Sequence, residues 1–166
     1  FTDALESLDT LYARKELNYE KMVLLAKYYL HLSKFKDAEL LLQKATAVHP
    51  HKMPALLDLY ARLYLLQDKP KEAIQRYNEY LQLVPNDAAA MYSISRMYAQ
   101  MKNKANAVEW LKESFANGFA YGWVLKEDPL MKNLRGTAEW KKLLSKQRFI
   151  EYPEPTNSYP HKETTE

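Results

Sequence analysis

Three cations recur at a nearly fixed interval: Lys27, Arg62 and Arg96 lie 35 and 34 residues apart. If the chain stacks one structural unit per interval, these charges form a ladder with rungs roughly 10 Å apart, the distance between packed helices. Such a ladder suits the carboxylates of an extended peptide, which a guanidinium grips through two parallel hydrogen bonds. Long cations also rest easily at half-exposed helix positions, stem on the protein and head in water. Spacing alone supports both readings.

Reactive chemistry finds little footing. The histidines are His31, His49, His51 and His161, and none stands in a His-Glu-x-x-His arrangement. The chain has neither a glycine-rich phosphate loop nor a Gly-x-Ser-x-Gly elbow. His49-Pro50-His51 brings two imidazoles into one turn, too few for a firm metal site. Glu127-Asp128 reads as a helix cap rather than an acid–base pair. Cysteine is absent, which excludes disulfides, thiolate metal sites and a cysteine nucleophile. The expectation is a non-enzyme with no metal and no cofactor. A net charge of +3, with the two signs mixed along the chain, argues against nucleic acid. No apolar run approaches the roughly 18 residues of a membrane span. The composition fits cytoplasm and periplasm alike, so the compartment is not assigned.

The cations belong to a longer repeating pattern. Ala38-x3-Leu42-x2-Ala45-x4-Pro50 returns as Ala73-x3-Tyr77-x2-Tyr80-x4-Pro85 and, eroded, as Ala107-x3-Leu111-x2-Ser114. Upstream of each lies a matching run: Met22-x2-Leu25-Ala26-x2-Tyr29, Leu57-x2-Tyr60-Ala61-x2-Tyr64 and Met91-x2-Ile94-Ser95-x2-Tyr98. This spacing predicts helix pairs at 19–32 with 35–48, 53–66 with 70–83, and 88–101 with 104–117. The first 117 residues contain no glycine, which suits nearly continuous helix joined by tight polar turns. Pro50 and Pro85 should close the second helices, and Pro70 should open one. Ala26, Ala61 and Ser95 on the first helices, and Ala38, Ala73 and Ala107 on the second, are small where two helices must cross closest.

A period near 34 with these small positions resembles the tetratricopeptide repeat superfamily. The motifs cover residues 19–119, or about 4–147 with flanking helices. The resemblance implies an all-α fold, a right-handed superhelical array of antiparallel helix pairs. The division it suggests is an N-terminal helix at 1–18, read from the spacing Ala4-x3-Leu8-x2-Leu11 as a second helix, either a cap or, since the chain opens at Phe1, part of a truncated repeat; repeats at 19–52, 53–87 and 88–119; capping helices at 120–148; and an extended tail rich in proline and tyrosine at 149–166. The segment running from Gly118 through Asp128-Pro129 and Leu134-Arg135 to Trp140 and Leu143-Leu144 resembles the closing helices of bacterial arrays. Trp123, Leu130, Leu134, Trp140 and Leu143 are its expected covering side chains, since the last repeat otherwise exposes its stacking face.

The resemblance also implies a concave groove lined by the first helices, holding a protein or peptide. Carried over position by position, the groove residues are Lys27, His31, Asp58, Arg62, Leu66, Tyr92, Arg96 and Gln100, and the cation ladder favours an acidic partner. The carboxylate clamp of chaperone-binding members maps onto Val23, Lys27, Leu59, Ala89 and Ser93, of which only Lys27 fits. Tails of heat-shock chaperones are therefore not expected. The competing reading is structural: self-association, a spacer in a larger multidomain protein, or the regulatory region of a bacterial enzyme or sensor.

Overall fold

The computed structural model describes Thr10 and residues 18–150. The expectations for the N-terminal helix and for the tail beyond Ile150 lie outside those residues. Within them the chain is all-helical, and the three expected pairs are present: α1 (Tyr19–His31) with α2 (Phe35–Val48), α3 (Met53–Leu66) with α4 (Pro70–Leu83), and α5 (Ala88–Gln100) with α6 (Lys104–Ala116). A 3-10 turn over Pro50–Lys52 leads into α3. Pro70 is the first residue of α4, where its missing N–H leaves no helical bond unmade. The pairs stack in sequence order into a solenoid, and each pair packs chiefly on its neighbours.

The small positions explain the stacking. Ala26, Ala38, Ala61, Ala73, Ser95 and Ala107 are all fully buried. Where the third pair carries Ser95, its Oγ donates to the Ala107 carbonyl at 2.6 Å, so the hydroxyl is satisfied inside the crossing. Around these contacts lie Met22, Leu25, Tyr29 and Leu42 in the first pair and Ile94, Met91 and Leu111 in the third, all buried. The apolar interior forms three adjoining clusters. α3 gives Leu56, Leu59 and Leu63 to the first cluster and Ala61 to the second. α5 gives Ile94 and Met97 to the second and Tyr92 and Ala99 to the third.

The turns within pairs repeat as faithfully as the helices. Ser33, Asp68 and Lys102 all adopt left-handed backbone, with φ of 57°, 57° and 60°. Each sits in a helix-closing motif whose long bond runs to the repeated tyrosine: Lys34 N–H to Tyr29 O, Lys69 N–H to Tyr64 O and Asn103 N–H to Tyr98 O, at 2.8–2.9 Å. Non-glycine residues pay for this conformation. Gly118 closes α6 in the same manner, with φ of 98° and a Phe119 N–H to Ser114 O bond of 3.0 Å.

Beyond α6 the chain builds the cap: α7 (Gly122–Glu127), a 3-10 turn over Pro129–Asn133 and α8 (Ala138–Leu144). Leu134, Trp140 and Leu143 are buried there as expected. Trp123 is not: it is 43% exposed, and Leu125 and Met131 fill the interior instead. The reason is the helical phase of α7, which turns Gly122 and Leu125 inward and therefore turns the residue after Gly122 outward. Phe149 packs against Phe115 and lies so close to Gly122 that an added Cβ would meet its ring at 2.7 Å.

Two substitutions test this account. Ala73→Leu should lower stability by roughly 1–3 kcal/mol through overpacking at the crossing, and an unchanged unfolding midpoint would contradict the packing. Lys102→Gly should raise stability by roughly 0.5–1 kcal/mol by relieving the left-handed turn; a loss of stability would contradict the turn conformation.

Candidate functional site

The first helices present one face to a common hollow of about 610 Å³. Of the groove residues expected from the sequence, Lys27, His31, Arg62, Leu66 and Arg96 line it together, so α1, α3 and α5 each place their cation on it. Leu30, Leu59, Leu65 and Tyr77 supply an apolar floor, and Ser33 and Ser93 supply hydroxyls. The alternation of cation and leucine follows from the helical period, which brings Lys27, Leu30 and His31 of α1 onto one stripe and Arg62, Leu65 and Leu66 of α3 onto the next.

The other expected residues sit beside or beneath the hollow. Asp58 is half-buried and accepts from Arg62 Nε at 2.9 Å, one helical turn away, and from the Tyr77 hydroxyl at 3.1 Å. It thereby joins α3 to α4. Tyr92 is buried: its ring stacks on Phe119 at 4.3 Å, and its hydroxyl donates to Asp128 Oδ2 at 2.7 Å. Gln100 donates to Asp68 Oδ1 at 2.7 Å, fastening the end of α5 to the α3–α4 turn.

The three cations are electrostatically distinct. Lys27 is exposed and forms no ion pair among the described residues. Arg62 is 62% exposed and paired on the surface with Asp58. Arg96 is 31% exposed, with Nε 2.5 Å from the carboxylate of Asp128, itself only 4% exposed in its side chain. Asp128 is the residue the sequence did not connect to the groove. Its capping role was legible and is present, since Oδ1 accepts from Leu130 N–H at 3.0 Å. Its second oxygen reaches Tyr92, 36 residues earlier, and a tertiary contact across the point where the repeat fails leaves no local signal.

Four phenols are held in the neutral form. Burial, reinforced by the charge of Asp58, pushes Tyr77 up to about 12. The hydrogen bond to Asp87 does the same for Tyr80, also to about 12. Burial and then the bond to Asp128 push Tyr92 higher still, and burial raises Tyr60. Because these pKa values are raised on folding, the stability they contribute is complete below the ordinary phenol value near 10 and is lost as pH climbs through about 12.

No group of three or more metal-ligating side chains lies together among the described residues. No described helix is long and apolar enough to cross a membrane.

A solenoid of antiparallel helix pairs with small residues at each crossing defines a repeat protein. The family model of the tetratricopeptide repeat matches residues 60–118. Mouse "Tetratricopeptide repeat protein 8" is 28% identical over 109 residues, covering 66% of this chain and 21% of the relative. The chain thus spans about a fifth of that relative's length. No solved structure matches it. The repeat period and the crossings agree with that match, so residues 60–118 carry the tetratricopeptide repeat pattern.

Alkaline titration tests the phenol environments. Phenolate absorbance should rise first near pH 10 for ordinary tyrosines and again towards pH 12, with helix content falling along the second step. Tyr77→Phe should reduce the late amplitude. A single step near pH 10 with helices intact would contradict the buried hydroxyl bonds.

Proposed function

We infer that this chain acts as a protein–protein interaction scaffold, the general role of tetratricopeptide repeats. We propose that this chain works by holding an extended, acidic segment of a protein partner in the hollow between α1, α3 and α5. The carrying observation is that all three repeating cations line that single hollow above a leucine floor. Carboxylates of a bound segment would meet Lys27 and the guanidinium groups of Arg62 and Arg96, while its apolar side chains would settle on Leu65 and Leu66. Surface ion pairs contribute little individually, so the leucines supply most of the affinity and the cations supply register and sign preference.

A second hollow lies on the other face of α3, lined by Leu57, Tyr60, Tyr64 and Arg76. It holds a single cation, Arg76, beside the carboxylates of Glu39 and Glu79, and no repeating series of cations.

The test is capture of partners from the source organism's lysate by wild type and by a Lys27→Glu/Arg62→Glu variant. A Lys36→Glu/Lys71→Glu variant, with charges reversed at exposed positions away from the hollow, is the matched control. Arg96 is kept, since reversing it beside Asp128 would disturb the fold. The expected outcome is a partner retained by wild type and control and lost from the groove variant. Equal capture by all would overturn the reading.

A further inference from the structure

Arg96 differs from the other two groove cations in how it is held. Asp128 approaches its Nε from the cap, and the Tyr92 ring lies 5.9 Å from its guanidinium carbon. Asp128 is itself fixed by the Tyr92 hydroxyl and the Leu130 N–H, and the Arg135 guanidinium donates to its carbonyl. The Nε of Arg96 is buried and meets Asp128 as an ion pair without hydrogen-bond alignment, yet the residue still lines the hollow. A guanidinium has further donors beyond Nε, so one edge can face Asp128 while the remainder serves the groove.

We propose that Asp128 is a positioning residue for the groove: it holds Arg96 by one edge so that this arginine is the pre-organised anchor for a ligand carboxylate. The proposal rests on the groove reading above and makes the C-terminal cap part of the binding site. The alternative, that a ligand carboxylate displaces Asp128 from Arg96, would leave a buried carboxylate without its counter-charge, which is strongly unfavourable. Asp128 therefore stays, and the ligand meets an arginine that has already lost its rotamer freedom. Lys27, exposed and unpaired among the described residues, must lose its freedom on binding, and Arg62 is held only by a surface pair with Asp58.

The sign of one measurement separates positioning from simple charge. Removing a negative charge beside the groove should strengthen binding of an anion if charge alone matters, and weaken it if Asp128 orients Arg96. The probe is a fluorescent hexaglutamate peptide at low salt, with hexaglutamine as control. Asp128→Asn keeps the Oδ1 acceptor for the Leu130 N–H and puts an amide donor where Oδ2 met Tyr92 and Arg96, a donor that the Tyr92 hydroxyl can turn to accept; it should bind hexaglutamate about tenfold more weakly. In an Arg96→Gln background the same change should have no further effect, as a double-mutant cycle requires of two residues acting as one. In wild-type protein, saturating hexaglutamate should slow hydrogen exchange at the Leu130 amide, because coupling between groove and cap is reciprocal.

Binding by Asp128→Asn that equals or exceeds wild type, while Lys27→Glu/Arg62→Glu abolishes it, would overturn this inference and leave the groove reading standing. Faster or unchanged exchange at Leu130 with peptide bound would also overturn it. No difference between hexaglutamate and hexaglutamine in wild type would overturn both.

Discussion

The close crossing of two helices at a pair of small residues is the contact on which everything else depends. At Ala26 with Ala38, Ala61 with Ala73, and Ser95 with Ala107, the side chains are fully buried and no larger one would fit. That approach sets the angle of each pair, the angle sets how the next pair stacks, and the stacking determines which stripe of α1, α3 and α5 faces the hollow. The Ser95 hydroxyl shows how narrow the tolerance is: an added polar atom is accepted because a carbonyl 2.6 Å away receives it.

The groove therefore inherits its chemistry from the period. A cation at one position of each unit becomes three cations on one surface, and Leu30, Leu65 and Leu66, three or four residues after the first two cations, join its floor. The end of the array breaks that regularity. There Tyr92 turns inward onto Phe119, Asp128 enters from the cap, and the third cation is paired with a buried carboxylate, whereas Lys27 is unpaired among the described residues and Arg62 has only a surface pair. The surface is thus graded along its length, adaptable at the α1 end and rigid at the α5 end.

The helices, the turns within pairs and the crossings were legible because each repeats, and one misreading would have to occur three times. Pro70 opening α4 and the burial of Trp140 and Leu143 were legible on local grounds, from helix chemistry and from the need to cover the final stacking face. The cap's interior was less so. Trp123 was expected inside as one of the side chains covering the final stacking face, whereas six residues of α7 carry too little periodicity to reveal which side faces in. The groove residues came from repeat position, and five of them do meet on one hollow. The burial of Tyr92 and its link to Asp128 depend on where the cap's chain returns after the period fails, which no interval records.

The shared helices have a mechanical consequence. Because α3 and α5 each belong to two of the three apolar clusters, no pair can leave without stripping one wall from its neighbour, yet no pair is braced by anything much farther along the chain. Such an object behaves as a spring rather than a block. Under tension it should lengthen first by small changes of angle at the crossings and then yield pair by pair, and a partner spanning all three first helices would stiffen it in proportion to the number of units gripped.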